Sequence, residues 1–262
     1  EIHERLVGSE MCIRDRMIAF VVFVMTDIMM QSNRAEAKKR TFTVSSKTIP
    51  CSSSYRQKPY YNKKTKQYYM INSYMRRLST TGGTLKLKKG TYKIPGTIYV
   101  PSNVKIVCAN GVKIKKTKAT GTKKVKSTTF LFQMISEEKA SGKQNTGKYA
   151  ASKNASIQGN GKVIFDMGNV NGATAVFVGH ASGITVSGVR FRNKKGGSYI
   201  WIEGSKNISV RQCVFERKKD VSGLKNRMAV RLETSNQTTS DFSGKWYKKD
   251  NTVNLSLIHI SE

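Results

Sequence analysis

The chain has 262 residues, with 47 Lys and Arg against 16 Asp and Glu and a formal net charge of +31. That is long enough for a sizeable core and short enough for one domain. So strong a charge favours polyanionic partners. No nucleic-acid-binding motif appears, no Cys or His spacing suits a metal centre, and no apolar run is long enough to span a bilayer.

Both ends read as foreign. Val7-Gly8-Ser9-Glu10-Met11-Cys12-Ile13-Arg14-Asp15 can be encoded by a DNA whose reverse complement reads Leu255-Ser256-Leu257-Ile258-His259-Ile260-Ser261-Glu262. Two unrelated protein ends would not encode one DNA in opposite senses, and that DNA resembles a transposon adapter of sequencing libraries. Residues 1–16 and 255–262 are therefore expected to be translated adapter, outside the fold, with the natural gene cut at both ends. The apolar run Met17–Met25, followed by Ala35-Glu36-Ala37, reads as a shortened secretory signal peptide over 17–37. The mature protein is expected to be extracellular or at the cell surface, with no membrane contact after cleavage. Three cysteines remain once Cys12 is set aside: Cys51, Cys108 and Cys213. An odd count argues against a disulfide framework. Cys213 sits at an apolar repeat position, as a small buried side chain would.

Residues 38–64 are basic and polar without a period and are expected to form an extended leader. From Thr65 the pattern becomes helical: Tyr69-Met70, Tyr74-Met75 and Leu78 share a face, with Thr65 as N-cap and Gly82-Gly83 as the stop. The domain is then expected over 65–254. Short alternating strands follow, Gly83–Tyr92 and Gly96–Val107, broken by Gly and by Pro101-Ser102-Asn103. Lys86, Lys105 and Lys113 alternate with apolar residues and so belong on outward faces. Residues 113–129 are rich in Lys and Thr, and 137–153 reads as a projecting loop.

The most regular part runs from Thr174 to Phe215. Val176 and Ile200, Ile184 and Ile208, and Phe191 and Phe215 are each 24 residues apart. Three landmarks holding one offset mark a structural repeat, and a period in this range means a solenoid. Alternation within each unit makes the units strands, so the fold expected is all-β: a single-stranded parallel β-helix with a short N-terminal capping α-helix. The crossover preference of parallel strands makes it right-handed. The helix would cover the open first coil, whose strand edges are otherwise exposed.

Gly82-Gly83-Thr84-Leu85-Lys86-Leu87-Lys88-Lys89-Gly90-Thr91-Tyr92 resembles the opening signature of the pectate-lyase superfamily of right-handed β-helices. Gly159–Asp166 and the strand ends Val189-Arg190-Phe191 and Cys213-Val214-Phe215 resemble it too. The likeness covers about 65–236. It implies the fold, and a protein that cleaves or binds polysaccharide outside the cell. It brings no catalytic motif, such as the paired aspartates of the polygalacturonases, to positions of this chain.

Alternation assigns the faces. Val176 and Val178, Ile200 and Ile202, and Val230 and Leu232 point inward. The offset from Ile200 to Val230 is 30, so 217–227 should hold a loop of extra residues. Registering the strands gives two outward rows: Phe177, Trp201, Arg231, and Gly179, Glu203, Glu233. Phe177 and Trp201 are candidates for stacking on sugar rings. Arg231 can pair a uronate carboxylate or serve as a lyase base. Glu203 and Glu233, one coil apart, are candidates for acid/base work or for a Ca²⁺ site; the alternative is that both are solvated surface charges. No further cofactor is implied. His180 closes its strand, either against ligand or in a turn hydrogen bond. Asp166 is expected to cap a turn. Lys194, Lys195, Lys218 and Lys219 lie in loops, where they would line a groove for a polyanion. The partner expected is thus an acidic polysaccharide rather than nucleic acid. Two functions stay open, a lyase or glycoside hydrolase and a non-catalytic surface adhesin.

Overall fold

A strand that alternates apolar and polar residues can bury only one face, so many short ones must find a common interior. They do so by stacking. The computed structural model describes residues 40–142, 146–216, 228–235 and 253. After a lead strand β1 (Arg40–Val44), each turn of chain lays down three strands. The first is β2 (Gly83–Leu87), β3 (Gly90–Ile94) and β4 (Ile98–Tyr99). The second is β5 (Val104–Cys108), β6 (Val112–Lys116) and β7 (Phe130–Gln133). Then come β8 (Lys153–Gly159), β9 (Ile164–Asp166) and β10 (Thr174–Gly179), followed by β11 (Ser182–Ser187), β12 (Arg190–Arg192) and β13 (Ile200–Glu203). The last described turn is β14 (Lys206–Arg211), β15 (Val214–Phe215) and β16 (Val230–Glu233). Three sheets result: sheet A, β1-β2-β5-β8-β11-β14; sheet B, β3-β6-β9-β12-β15; and sheet C, β4-β7-β10-β13-β16. Neighbours in every sheet are parallel and every third strand pairs, which is a parallel β-helix.

The 24-residue offsets hold in all three sheets: Val176 faces Ile200, Ile184 faces Ile208 and Phe191 faces Phe215. Ile200 also faces Val230, as the longer offset required. Earlier turns are less regular, because loops interrupt them. Val107 pairs with Gln158, a turn of 51 residues.

The interior is made of ladders. In sheet B, Tyr92, Ile114, Phe165, Phe191 and Phe215 stack in register. The rings of Phe191 and Phe215 lie 5.2 Å apart at 14°. In sheet A the corresponding row is Leu85, Ile106, Ile157, Val186 and Val210, each at most 1 % exposed. Each such side chain contributes roughly 1.5–3 kcal/mol by leaving water. Val176, Val178, Ile200 and Ile202 are fully buried. Leu232, in line with them, is 53 % exposed, for no described strand stacks beyond β16. Stacked turn residues such as Asn169 and Asn193 take positive φ, which Asn tolerates better than most residues.

The helix expected from Thr65 is α2 (Lys66–Leu78), preceded by the short α1 (Ser53–Arg56). It buries Met70, Ile71, Met75 and Leu78 over the first coil. It also serves the open strand edges. The Asn72 carboxamide donates to Thr97 O (3.0 Å) and accepts from Tyr99 N (3.0 Å), in place of a neighbour for β4. Gln67 does the same for β3, accepting from Lys93 N (2.6 Å) and donating to Thr91 O (3.3 Å). On sheet A the edge is paired by β1 itself. Part of the stretch expected as an extended leader therefore belongs to the solenoid: Phe42 and Val44 of β1 alternate with threonines, too briefly to show a period. Thr65 is the N-cap residue, but its hydroxyl donates to Tyr60 O (2.6 Å) rather than capping the helix. The projecting loop before β8 holds one helical turn, α3 (Glu137–Ala140).

Lys86 and Lys105 are exposed and Lys113 half-buried on outward faces, as alternation requires. Lys116 is different. It follows Val112 and Ile114 on the inward parity of β6 and is fully buried. Its Nζ donates within a cage of four acceptors: Phe130 O (2.8 Å), Pro95 O (3.0 Å), Gly96 O (3.1 Å) and Thr128 Oγ1 (3.1 Å). Burial pushes its ammonium down to about 7. Cys108, also buried, has its thiol pushed up to about 12 by the same cause.

Candidate functional site

The outward rows on sheet C have the expected register. Phe177 pairs with Trp201 and Trp201 with Arg231; Gly179 pairs with Glu203 and Glu203 with Glu233. Their environment is a different matter. Phe177 is 0 % exposed, Trp201 5 % and Glu203 0 %. The expectation of an open aromatic groove at these positions is corrected: β10 and β13 are buried on both faces. The rings of Phe130 and Phe177 stack at 4.5 Å, and Trp201 packs edge-on to Phe177 at 5.1 Å. The Arg231 guanidinium lies 4.3 Å from the Trp201 ring and pairs with Glu233 at 2.5 Å. Apolar side chains on an outward face favour being covered over being wetted, and alternation cannot tell which has happened.

His180 is likewise buried, not at a surface where ligand could reach it. It takes the left-handed conformation (φ 51°), and its Nδ1 donates to Lys148 O at 2.8 Å. Its Nε2 meets Ser235 Oγ at 3.1 Å. The turn-hydrogen-bond alternative thus describes the imidazole, which ties two loops to the end of β10. Lys194 is half-buried, 5.8 Å from the Tyr199 ring, and burial lowers its ammonium. Lys195 is exposed. Lys218 and Lys219 lie outside the described residues, as do the signal and adapter segments. Among the described residues no three His, Cys, Asp or Glu side chains gather in a metal-sized cluster.

A second outward face was not singled out from sequence. On sheet B one row runs Thr91, Lys113, Ile164, Arg190, Val214, and the next runs Lys93, Lys115, Asp166, Arg192. Cations from neighbouring strands, ~4.8 Å apart, thus surround one carboxylate. Asp166 is 3 % exposed. Its Oδ1 accepts from Asn193 Nδ2 (2.9 Å) and Gly168 N (3.0 Å), the latter closing the expected turn. Its Oδ2 lies 3.1 Å from Lys113 Nζ and 3.4 Å from Arg192 Nε. Burial alone pushes the carboxyl up, but the Asn193 and Gly168 bonds and the Lys113 ammonium outweigh it and hold it below the usual range.

Along β9, β12 and β15 this face opens into a cleft of about 670 Å³. Its floor is Ile164, Arg190, Arg192, Val214 and Glu216, and its wall is made by the turns carrying Lys162 and Gly188. Gly188 has φ +67°, and a Cβ there would meet Gly159 O at 2.3 Å, so two coils of wall can stack closely only as glycine. Arg190 pairs with Glu216 at 2.9 Å, both partly exposed. Lys93 and Lys162 are exposed and Lys115 half-buried. Such a floor offers forked donors to anions and short apolar stretches to C–H faces. One signal was legible: Arg190 and Arg192 flank the inward Phe191. Asp166 as a turn cap and Lys113 as an outward lysine were legible singly, but not as a pair, because the turns joining them to that repeat are longer.

No family model matches the chain, and no curated protein matches it. Solved structures do. A surface adhesin of Streptococcus pneumoniae, PfbA, is 15 % identical with a TM-score of 0.52, covering 74 % of this chain and 44 % of its own. An iota-carrageenase complexed to iota-carrageenan fragments is 21 % identical (TM-score 0.36; 63 % of this chain, 40 % of that one). The ORF18 protein of Geobacillus virus E2 is 14 % identical (TM-score 0.42; 92 % and 50 %). The chain thus spans less than half the length of the adhesin it matches. At 15 % identity the likeness to the adhesin is one of fold: this protein, too, is a parallel β-helix.

Proposed function

We propose that the protein binds an acidic polysaccharide outside the cell, along the outer face of sheet B. The observation that carries this reading is the pair of cation rows around Asp166, leading into the cleft floored by Ile164, Arg190, Arg192 and Val214. Arginine forks recognise carboxylate or sulfate oxygens bidentately, and Lys115 and Lys162 add point charges. Ile164 and Val214 suit the apolar side of a pyranose. Rows that repeat every ~4.8 Å run along the solenoid axis, a spacing close to the length of one sugar unit, so successive coils would meet successive residues of a glycan. Among the described residues no helix is long and apolar enough to cross a membrane.

Binding would depend on more than the net charge. The test is calorimetry of the full chain against oligomers of galacturonate of increasing length, with a neutral glucan as control. Affinity should rise with length until the ligand spans the described coils, then level off, and should fall steeply with salt. Arg190→Ala with Arg192→Ala should remove most of it. Equal binding of the neutral glucan, or full affinity in the double variant, would refute the reading. Appearance of unsaturated product or of reducing ends in the same mixtures would make the protein a lyase or hydrolase rather than an adhesin.

A further inference from the structure

We propose that Asp166 is a positioning residue of this face: it does not touch the glycan but holds Lys113 and Arg192 in place to do so. The inference rests on the reading of sheet B given above. Asp166 is 3 % exposed, whereas the side chains of Lys113 and Arg192 are each 31 % exposed, so its partners can meet a ligand and it cannot. Its four contacts are all to groups of the protein. Oδ1 is used by Asn193 and Gly168, and Oδ2 by the two cations. Arg192 approaches through Nε, an ionic contact at 3.4 Å, and so keeps both terminal nitrogens as a fork beside the cleft. Lys113 spends one of its three N–H donors on the carboxylate.

Without Asp166, the Lys113 ammonium and the Arg192 guanidinium, on the strands either side of β9, would face each other with no counter-charge between them, and like charges so close repel. Long flexible side chains relieve such repulsion by swinging into water, and a ligand must then order them again. The carboxylate removes that cost before binding.

A purely electrostatic view makes the opposite prediction, which gives the test its sign. If only net charge matters, Asp166→Asn removes a negative charge and should tighten polyanion binding. If Asp166 positions, the same change should raise Kd for a galacturonate oligomer at least about tenfold, the worth of one charge-assisted hydrogen bond, and flatten its salt dependence. Asp166→Glu, which keeps the charge on a longer arm, should recover part of the loss. Asn193→Ala leaves every charge intact and removes one bond to Oδ1; it should weaken binding by a few-fold. Binding by Asp166→Asn as tight as the parent or tighter would overturn the inference. Should that variant not fold, an unchanged Kd in Asn193→Ala would overturn it equally. A parent chain that binds no acidic oligomer would refute the reading of the whole face, and this inference with it.

Discussion

Replacing Lys116 with Met should change how stability depends on pH, not only how large it is. The folded ammonium is depressed to about 7 from the ordinary 10.5, so between those values the unfolded chain binds more protons than the folded one. Stability contributed by this residue is therefore present above the unfolded value, is lost as pH falls, and levels off below about 7. At one unit per 1.36 kcal/mol, the interval from pH 7 to 8.5 is worth about 2 kcal/mol. For a chain of this size that is a rise in Tm of about 4–8 °C. The upper limit matters, since Cys108 and Tyr92, both pushed up to about 12 by burial, act in the opposite sense at higher pH. Lys116→Met leaves the other titrations unchanged. Urea denaturation of both proteins at half-unit steps should give a stability difference that moves in favour of the parent as pH rises. Because Pro95 O also accepts from Thr128 N, and Phe130 O from Thr97 Oγ1, the variant leaves few acceptors unserved and should still fold. A difference that stays flat over this interval would refute the reasoning: it would mean that the four acceptors hold the ammonium near its ordinary value despite burial.

Trp201→Ala should cost about 3–5 kcal/mol of stability, as a buried aromatic does, because the ring is packed against Phe177 and under Arg231. Ile200→Ala, one residue earlier on the inward face, should cost about 2–5 kcal/mol; a Trp201 variant as stable as the parent in urea would mean that the outer layer on sheet C is not there. Gly188→Ala should destabilise by more than about 1–2 kcal/mol, since its φ is positive and its Cβ would strike Gly159 O. An unchanged Tm would show that the cleft wall can shift.

Much of the fold could be read from the chain because its determinants are local. Strand alternation sets which side chains share a face, and Val176, Ile184 and Phe191 carried that pattern forward by 24 residues without a gap. The capping helix was legible for the same reason: Met70, Met75 and Leu78 lie within three turns. Local pattern could not say whether an outward face meets water. Phe177 and Trp201 are outward by register, yet buried, since a covering layer is a property of the assembled chain. It also could not place Lys116, an inward lysine whose four oxygen partners come from two separate turns. Nor could it join Lys113 to Asp166, on strands separated by loops whose lengths follow no repeat. Periodicity determines a face; only the stacked coils decide what stands opposite it, because contact across an interrupted turn depends on how much chain the loop takes up.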